Sequence, residues 1–315
     1  MEKVSIIIPV FNEEDNLELL LAKLQVLTDF EWEAIFVNDG SKDQSAEILD
    51  ELAIKDKRVK VIHFLRNYGQ TAAMAAGFAH TQYDIVVPLD ADLQNDPADI
   101  VHLLAKMAKG YDVVSGWRKD RQDATWTRVW PSNLANSLIS YITGVKLHDY
   151  GCTLKAYKKE ILQEVKLYGE MHRFIPAYAA WHGAKVTEIE VKHHPRIHGQ
   201  TKYGLGKTFR VILDLLVVKF LMDYSTRPMH FFGLAGFYSL LVSFIAGFLA
   251  VYLRVAGLRH FSATPLPLLT AIFFLLGIQF ILMGIIAEIL MRNSYEGQNK
   301  TTYKIKSKIN LDDLK

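Results

Sequence analysis

Short apolar runs separated by amphipathic stretches make up the first 120 residues of the chain. The apolar runs, which predict buried strands, are Val4–Ile8, Ala34–Val37, Val59–Phe64, Asp84–Leu89 and Asp112–Gly116. Between them, leucine and alanine recur at spacings of three and four residues, which is typical of helices with one buried face. Strands that alternate with helices predict a parallel sheet with right-handed crossovers, and therefore an α/β domain.

Each predicted strand ends in a polar segment. These segments are Pro9–Glu13, Asn38–Asp39, Arg66–Asn67, Asp90–Gln94 and Trp117–Arg118. Ligands of open parallel sheets bind beyond the carboxyl ends of the strands, so we expect all five segments to face one crevice. The chain contains neither G-x-G-x-x-G nor G-x-x-x-x-G-K-[ST], which argues against a dinucleotide fold and a P-loop.

The segment Asp90–Gln94 places two carboxylates two residues apart at the mouth of the fourth strand. Such a pair is costly unless a cation lies between the carboxylates, and Mg²⁺ needs only one or two of them when substrate phosphates supply other oxygens. The D-x-D pattern is weak by itself, because a loop of solvated acids explains it equally well. Asp96 and Pro97 predict a helix start just beyond it, and Ser41 with Gln44 predicts a capping box for an earlier helix.

Two long uncharged stretches follow in the last third of the chain, at Phe231–Leu253 and Leu266–Ala287. Each is long enough to cross a bilayer core of about 30 Å. Basic residues before the first stretch and after the second predict that both ends lie in the cytoplasm. The segment just before them, 206–224, predicts a helix lying in the membrane interface. The alternative is a buried helical hairpin of a soluble protein.

Composition and charge indicate which partners and which cellular compartment to expect. The formal net charge of the 315-residue chain is +2, so no global field favours a nucleic acid partner, and none is expected. The single cysteine, Cys152, excludes an intrachain disulfide and is typical of a reducing compartment. The run Val4–Val10 is too short for a signal peptide, so we expect the α/β part to remain in the cytoplasm.

Two further segments carry basic side chains. Arg118, Lys119, Arg121 and Arg128 indicate either a loop over the crevice or an ordinary solvated loop. The segment His193–His198 raises a zinc hypothesis, but no cysteine and no helical i, i+4 pair supports it, and a loop facing phosphates explains the histidines as well.

Four motifs occur in the order found in family 2 glycosyltransferases. They are Ser5–Glu14, Val37–Ser41, Asp90–Gln94 and Arg196-x5-Lys202. The chain therefore resembles this family, and within it the polyprenyl-phosphate glycosyltransferases, which include dolichol-phosphate mannose synthase and membrane-anchored bacterial undecaprenyl-phosphate enzymes. The resemblance implies a GT-A type, Rossmann-like nucleotide-diphospho-sugar transferase domain with a mostly parallel sheet, interfacial helices and two C-terminal transmembrane helices.

The domain organisation follows from the resemblance and the apolar pattern together. We expect a cytoplasmic catalytic domain at 1–205, a juxtamembrane amphipathic region at 206–228, two transmembrane helices at 229–290 and a basic cytoplasmic tail at 291–315. The expected location is the inner membrane, with the catalytic domain and both termini in the cytoplasm. Related membrane-anchored enzymes imply a homo-oligomer such as a tetramer.

The resemblance also implies roles for individual residues. The nucleotide-binding set is Pro9, Phe11, Glu13, Val37, Asp39, Asn67, Asp90 and Ala91. Asp39 is expected to accept the ring N–H of the base, while Asp92 and Gln94 hold Mg²⁺ or Mn²⁺. The catalytic set is Asp92, Arg118, Arg128, Arg196 and Lys202. The arginine and lysine side chains of this set are expected to bind phosphates. The chain departs from the family pattern in two places: Asn38 stands where the family frequently has aspartate, and Trp117 precedes Arg118. These departures leave the exact contacts to the base open.

The implied activity is metal-dependent, inverting transfer of a sugar from a nucleotide-diphosphate sugar to a polyprenyl monophosphate for cell-envelope glycan and lipopolysaccharide modification. UDP is the commoner carrier among bacterial relatives, and undecaprenyl phosphate is the expected acceptor. A phosphate monoester with a second pKa of about 6 is mostly dianionic at pH 7 and is already a nucleophile, so a dedicated general base is less necessary.

Three other functions fit the sequence less well than this one. A processive polysaccharide synthase is disfavoured because the chain has no Q-x-x-R-W and two spans are few for a translocation channel. A nucleotidyltransferase would need a glycine-rich basic loop near the N-terminus, which this sequence does not have. A non-catalytic membrane partner of a lipid-sugar flippase would not need Asp90, Asp92, Arg196 and Lys202.

Overall fold

The computed structural model describes residues 2–119, 130–164, 171–195, 215, 219–220, 224, 228–296 and 302–311. The chain forms two compact units, of which the first combines Met1–Lys219 with Thr301–Lys315 and the second is Phe220–Lys300. The C-terminal tail therefore belongs to the same unit as the N-terminal domain.

The first unit alternates strands and helices along most of its length. Its strands are β1 (Lys3–Val10), β2 (Glu31–Asn38), β3 (Val59–Phe64), β4 (Ile85–Pro88), β5 (Val113–Trp117), β6 (Lys155–Lys158), β7 (Val186–Glu190) and β8 (Ile305–Ile309). Its helices are α1 (Glu14–Gln25), α2 (Ser45–Lys55), α3 (Gln70–Ala79), α4 (Ile100–Met107), α5 (Trp130–Thr143), α6 (Lys159–Glu164) and α7 (Ile175–Trp181). Short 3₁₀ helices lie at Pro97–Asp99 and Met171–Phe174.

The eight strands form one mixed sheet in the order β7-β5-β6-β4-β1-β2-β3-β8. Only β6 and β8 run antiparallel to their neighbours, so the predicted α/β fold with a mostly parallel sheet is confirmed. β1 pairs with β2 on one side and with β4 on the other, so the strand order reverses at β1. Such a switch point opens a crevice beyond the carboxyl ends of the strands.

The centre of the sheet is buried on both faces. Ile6, Ile7 and Ile8 of β1 are all fully buried, since helices cover the two faces of a parallel sheet. Leu17 and Leu20 of α1 belong to the same hydrophobic core as Ile6 and Ile8. Continuous apolar runs therefore form the interior strands, and the polar segments that follow them lie at one edge.

The two predicted helix starts have different outcomes. The carboxylate of Asp96 accepts the backbone N–H of Ala98 at 3.1 Å with Pro97 in the first turn, which confirms the predicted N-cap. The capping box of Ser41 and Gln44 is wrong, because α2 begins at Ser45 and the side chain of Gln44 makes no capping hydrogen bond. The Ser41 hydroxyl instead accepts the backbone N–H of Asn12 at 3.0 Å, since the loops after β1 and β2 lie side by side.

The second unit contains two long helices, α8 (Pro228–Val255) and α9 (Leu266–Glu296). Both are long and apolar enough to cross a membrane. Large apolar side chains on them are exposed, for example Phe244 at 74% and Phe248 at 66%, which argues against the buried hairpin of a soluble protein. The predicted interfacial helix lies almost entirely outside the described residues.

Glycines set the separation of α8 and α9. A Cβ atom on Gly277 would lie 2.6 Å from Leu240 Cγ and 3.1 Å from the carbonyl oxygen of Gly236. A Cβ atom on Gly236 would in turn lie 3.0 Å from the carbonyl oxygen of Gly277. The two backbones therefore pack against each other through small residues, as is common between helices in membranes.

We expect Gly277→Leu to lower the melting temperature of the detergent-purified protein, because overpacking at a close helix contact costs about 1–3 kcal/mol. The matched control is Gly233→Leu, since a Cβ atom on Gly233 meets only Met229 Cε, at 3.6 Å. Equal melting temperatures for the two variants would contradict the close packing.

Candidate active site

The loops after β2 and β3 are joined by the carboxylate of Asp39. This carboxylate accepts the backbone N–H groups of Tyr68 at 2.6 Å and Gly69 at 2.8 Å, and Asp39 is only 3% exposed. Burial raises the pKa of Asp39, and the two backbone hydrogen bonds offset part of that rise. Asp39 therefore fixes the start of α3. Its predicted contact with the base would use a remaining lone pair of the same carboxylate, and this role stays a prediction.

A cleft of about 480 Å³ lies beside Asp39, between the loops after β1, β2 and β3. Phe11 and Asn67, two of the predicted nucleotide-binding residues, line it. Gly40 makes this arrangement possible, because its φ is +68° and a Cβ atom there would lie 2.7 Å from the backbone nitrogen of Asn67.

Four other predicted nucleotide-binding residues lie at or just after the ends of β1, β2 and β4. Val37 is fully buried and pairs in register with Pro9, and Ala91 is 4% exposed, so a contact from Val37 or Ala91 would come from the backbone. Glu13 precedes α1, where its side chain accepts the amide of Asn16 at 2.7 Å.

Asp90 lies at the end of β4 and is bonded by two side chains. The amide of Gln70 donates to it at 2.9 Å, and the Thr153 hydroxyl forms a second hydrogen bond. Desolvation, followed by the negative charge of Asp92, raises the pKa of Asp90 to about 6. Two carboxylates that repel each other in this way favour binding of a cation between them.

The turn that follows Asp90 carries backbone strain. Leu93 adopts φ +60°, which is uncommon for a residue other than glycine, and it places the backbone N–H of Gln94 3.2 Å from the Asp92 carboxylate. In the described ranges, no three histidine, cysteine, aspartate or glutamate side chains come together to hold a metal ion. The donor set of Asp92 and Gln94 suits a hard ion that takes further oxygens from phosphates, and their metal role stays a prediction.

The segment after β7 lies directly against this turn. The backbone N–H of His194 donates to the carbonyl oxygen of Gln94 at 2.8 Å, and Asn95 pairs with His193 in an isolated bridge. The chain that leads into the predicted phosphate-binding loop therefore starts beside Asp92. Arg196 and Lys202 of that loop lie outside the described residues, as do Arg128 and the third histidine of the zinc hypothesis, His198.

Arg118 is fixed by a carboxylate that the sequence analysis assigned no role. Its Nε and Nη2 atoms donate to the two oxygens of Asp149 at 2.7 Å and 3.1 Å, and Asp149 is 2% exposed. A bidentate pair of this kind restricts the guanidinium to one orientation. Asp149, Gln70 and Leu93 are the residues that sequence reasoning missed. The sequence signal for Asp149 was an aspartate between aromatic residues in His148-Asp149-Tyr150-Gly151, but nothing local linked it to Arg118.

Comparison with known proteins decides the family. The model of glycosyl transferase family 2 matches residues 5–166, a stretch that runs from within β1 past β6 and includes the Asp90–Gln94 turn. The chain belongs to glycosyl transferase family 2. It is therefore a glycosyltransferase, as the motifs predicted.

Curated relatives cover nearly the whole glycosyltransferase. A dodecaprenyl-phosphate galacturonate synthase from Rhizobium johnstonii is 39% identical over 315 residues, covering 96% of this chain and 92% of the relative. An undecaprenyl-phosphate 4-deoxy-4-formamido-L-arabinose transferase from Pseudomonas aeruginosa is 38% identical over 297 residues, covering 93% of this chain and 86% of the relative. The predicted resemblance to the polyprenyl-phosphate glycosyltransferases is confirmed.

Solved structures agree on the fold of the glycosyltransferase. Glucosyl-3-phosphoglycerate synthase from Mycobacterium tuberculosis, in complex with Mn²⁺, UDP and phosphoglyceric acid, has a TM-score of 0.54 at 17% identity. The match covers 69% of this chain and 78% of that one. At this identity the likeness concerns the fold alone, and it confirms the predicted GT-A type domain.

We expect Asp90→Asn to raise the melting temperature of the free glycosyltransferase at pH 7.5. Because the pKa of Asp90 is raised to about 6 in the folded state, ionising it costs folding free energy. That cost grows as the pH rises from about 4, the ordinary pKa of aspartate, and is constant above the folded-state value. An uncharged amide removes a cost of about 3 kcal/mol, the equivalent of about two pKa units.

The measurement is thermal unfolding of wild-type protein, Asp90→Asn and Asp29→Asn, an exposed aspartate used as the control, at pH 7.5 and pH 4. The advantage of Asp90→Asn should disappear at pH 4, where wild-type Asp90 is protonated. An advantage that persists at pH 4, or none at pH 7.5, would contradict the electrostatic cost.

Proposed function

We propose that this chain transfers a sugar from a nucleotide-diphosphate sugar to a polyprenyl monophosphate, with inversion at the anomeric carbon and with Mg²⁺ or Mn²⁺ bound. The observation that carries the proposal is the hydrogen bond from His194 to Gln94, which sets the start of the basic loop against the Asp90–Gln94 turn. A site for a metal-bound diphosphate and a set of phosphate-binding cations would thus adjoin each other.

The donor is proposed to be a UDP-sugar. Three observations support this: the cleft beside Asp39, lined by Phe11 and Asn67, the membership of family 2, and the UDP-glucose complex of the structural relative with Mn²⁺. Asp39 and Phe11 would bind the nucleoside, and Asp90 with the backbone of Ala91 would border the ribose and diphosphate.

Asp92 and Gln94 would hold the metal ion, which neutralises charge on the departing diphosphate when bound. Basic side chains would offset the remaining negative charge of the substrates. Arg118, held by Asp149, keeps a positive charge at a fixed position near Asp90. Arg128, Arg196 and Lys202 are proposed to bind the phosphates of the two substrates and to offset their repulsion.

The acceptor phosphate is proposed to act as the nucleophile. One of its oxygens forms a bond to the anomeric carbon while the bond from that carbon to the diphosphate oxygen breaks, so UDP leaves and an α-linked donor gives a β-linked product. A phosphate monoester is mostly dianionic at pH 7, so no proton has to be removed by the protein. Asp90 is accordingly proposed as a binding residue and not as a general base.

The proposed location is the cytoplasmic face of the inner membrane. The two apolar helices could span the bilayer, and Met1–Lys219 and the strand β8 after α9 belong to one compact unit. That connectivity supports a spanning hairpin whose two ends emerge on the same side of the membrane. The excess of lysine and arginine at those ends supports the cytoplasmic side.

We expect purified protein in detergent to transfer sugar from UDP-sugars to undecaprenyl phosphate, and EDTA to abolish the transfer. Asp92→Asn should lower kcat/KM about 100-fold, because removing a charged metal ligand costs several kcal/mol of transition-state stabilisation. Asp84→Asn, an exposed aspartate that precedes β4 at the opposite end of the strand, is the control and should match wild type. Full activity in EDTA or in Asp92→Asn would refute the metal role.

Arg196→Ala and Lys202→Ala are each expected to lower kcat/KM by about 10- to 100-fold, the cost of losing one hydrogen bond to a charged phosphate. Circular dichroism should show unchanged folding. Lys109→Ala removes an exposed lysine that precedes β5, at the amino end of that strand, and should keep wild-type turnover. Wild-type turnover in Arg196→Ala and Lys202→Ala would remove both residues from the proposed site.

A further inference from the structure

The C-terminal strand β8 carries a bulge at Lys306. β8 pairs antiparallel with β3, and the register runs Val61 to Ile309, Ile62 to Lys308, His63 to Ser307 and then Phe64 to Ile305. Lys306 is therefore the extra residue, without an opposite residue on β3. Bulges next to binding sites commonly redirect a side chain.

Contacts at both ends hold β8 in place. At one end, the ring of Tyr303 stacks on Phe64 with a centroid distance of 5.0 Å, and the backbone N–H of Leu65 donates to the carbonyl oxygen of Lys304 at 3.1 Å. At the other end, the amide of Asn310 donates to the carbonyl oxygens of Ala53 at 2.6 Å and Val59 at 2.8 Å. The position of Lys306 is thus built into the sheet.

Lys306 lines the cleft of about 480 Å³ that also contains Phe11 and Asn67. Lys42 and Arg66 bring two more positive charges, and none of the described residues that line the cleft is acidic. Aromatic side chains stack on the flat face of a base, and cationic donors bind carbonyl or phosphate oxygens. The chemistry of the cleft therefore suits a nucleotide.

We propose that Lys306, from the C-terminal strand, is a further residue that binds the nucleoside end of the donor in this cleft. This inference rests on the proposed function, and it extends the nucleotide site to a part of the chain that follows both apolar helices. The site is incomplete without β8, because the tail supplies one of the three cations of the cleft.

The test measures UDP binding by isothermal titration calorimetry to the full-length protein in detergent with Mg²⁺. Lys306→Ala should raise the Kd for UDP about 10-fold, the effect of losing one charge-assisted hydrogen bond. Lys304→Ala, which removes an exposed lysine two residues away that does not line the cleft, should bind like wild type. Lys306→Arg should restore most of the affinity.

Competition by uridine and by inorganic pyrophosphate locates the contact. Weaker competition by uridine in Lys306→Ala supports the nucleoside placement, whereas a loss confined to pyrophosphate overturns it.

An unchanged Kd for UDP in Lys306→Ala, or equal losses of affinity in Lys304→Ala and Lys306→Ala, also overturns the role of Lys306. If wild-type protein transfers sugar and binds UDP, and Lys306→Ala transfers sugar and binds UDP equally well, only the role of Lys306 is overturned. If wild-type protein binds none of UDP, GDP and dTDP and transfers no sugar, the proposed function and the role of Lys306 are both overturned.

Discussion

Repulsion between negative charges is the constraint on which the rest of the site depends. Asp90 and Asp92 share one strand end, where desolvation and then the negative charge of Asp92 raise the pKa of Asp90. A nucleotide diphosphate and a lipid phosphate would add more negative charge at the same place. Such a site can work only if positive charge converges on it from several directions.

Hydrogen bonds and an ion pair fix the described side chains of the site in advance. Arg118 is oriented by the buried carboxylate of Asp149, and Asp90 is held by Gln70. Asp39 ties the loop after β3 to the end of β2. Groups fixed in this way need little reorganisation when charge develops on a leaving oxygen, which is how preorganised sites lower a barrier. The parallel sheet provides the frame because its strand ends all open at one edge.

Much of this frame could be predicted from the sequence, since buried parallel strands appear as continuous apolar runs and their ends as polar segments. β8 could not, because Ile305–Ile309 has three consecutive polar residues between two isoleucines and resembles a solvated tail. Its partner β3 lies more than two hundred residues away, and no local pattern encodes that pairing. The predicted capping box was wrong for a related reason, because the Ser41 hydroxyl accepts a hydrogen bond from Asn12, which is distant in sequence. The fixing of Arg118 by Asp149 was equally hidden, whereas the metal role of Asp92 and Gln94 remains a prediction from motif and resemblance.

The nucleotide released during turnover tests the central claim, attack by the lipid phosphate on the anomeric carbon, most directly. Purified protein would be incubated with a UDP-sugar and undecaprenyl phosphate, and both products identified by mass spectrometry. Attack at the anomeric carbon predicts UDP and a lipid that carries the sugar on a single phosphate. Release of UMP with a lipid diphosphate-sugar, or free sugar with unmodified lipid, would contradict the mechanism.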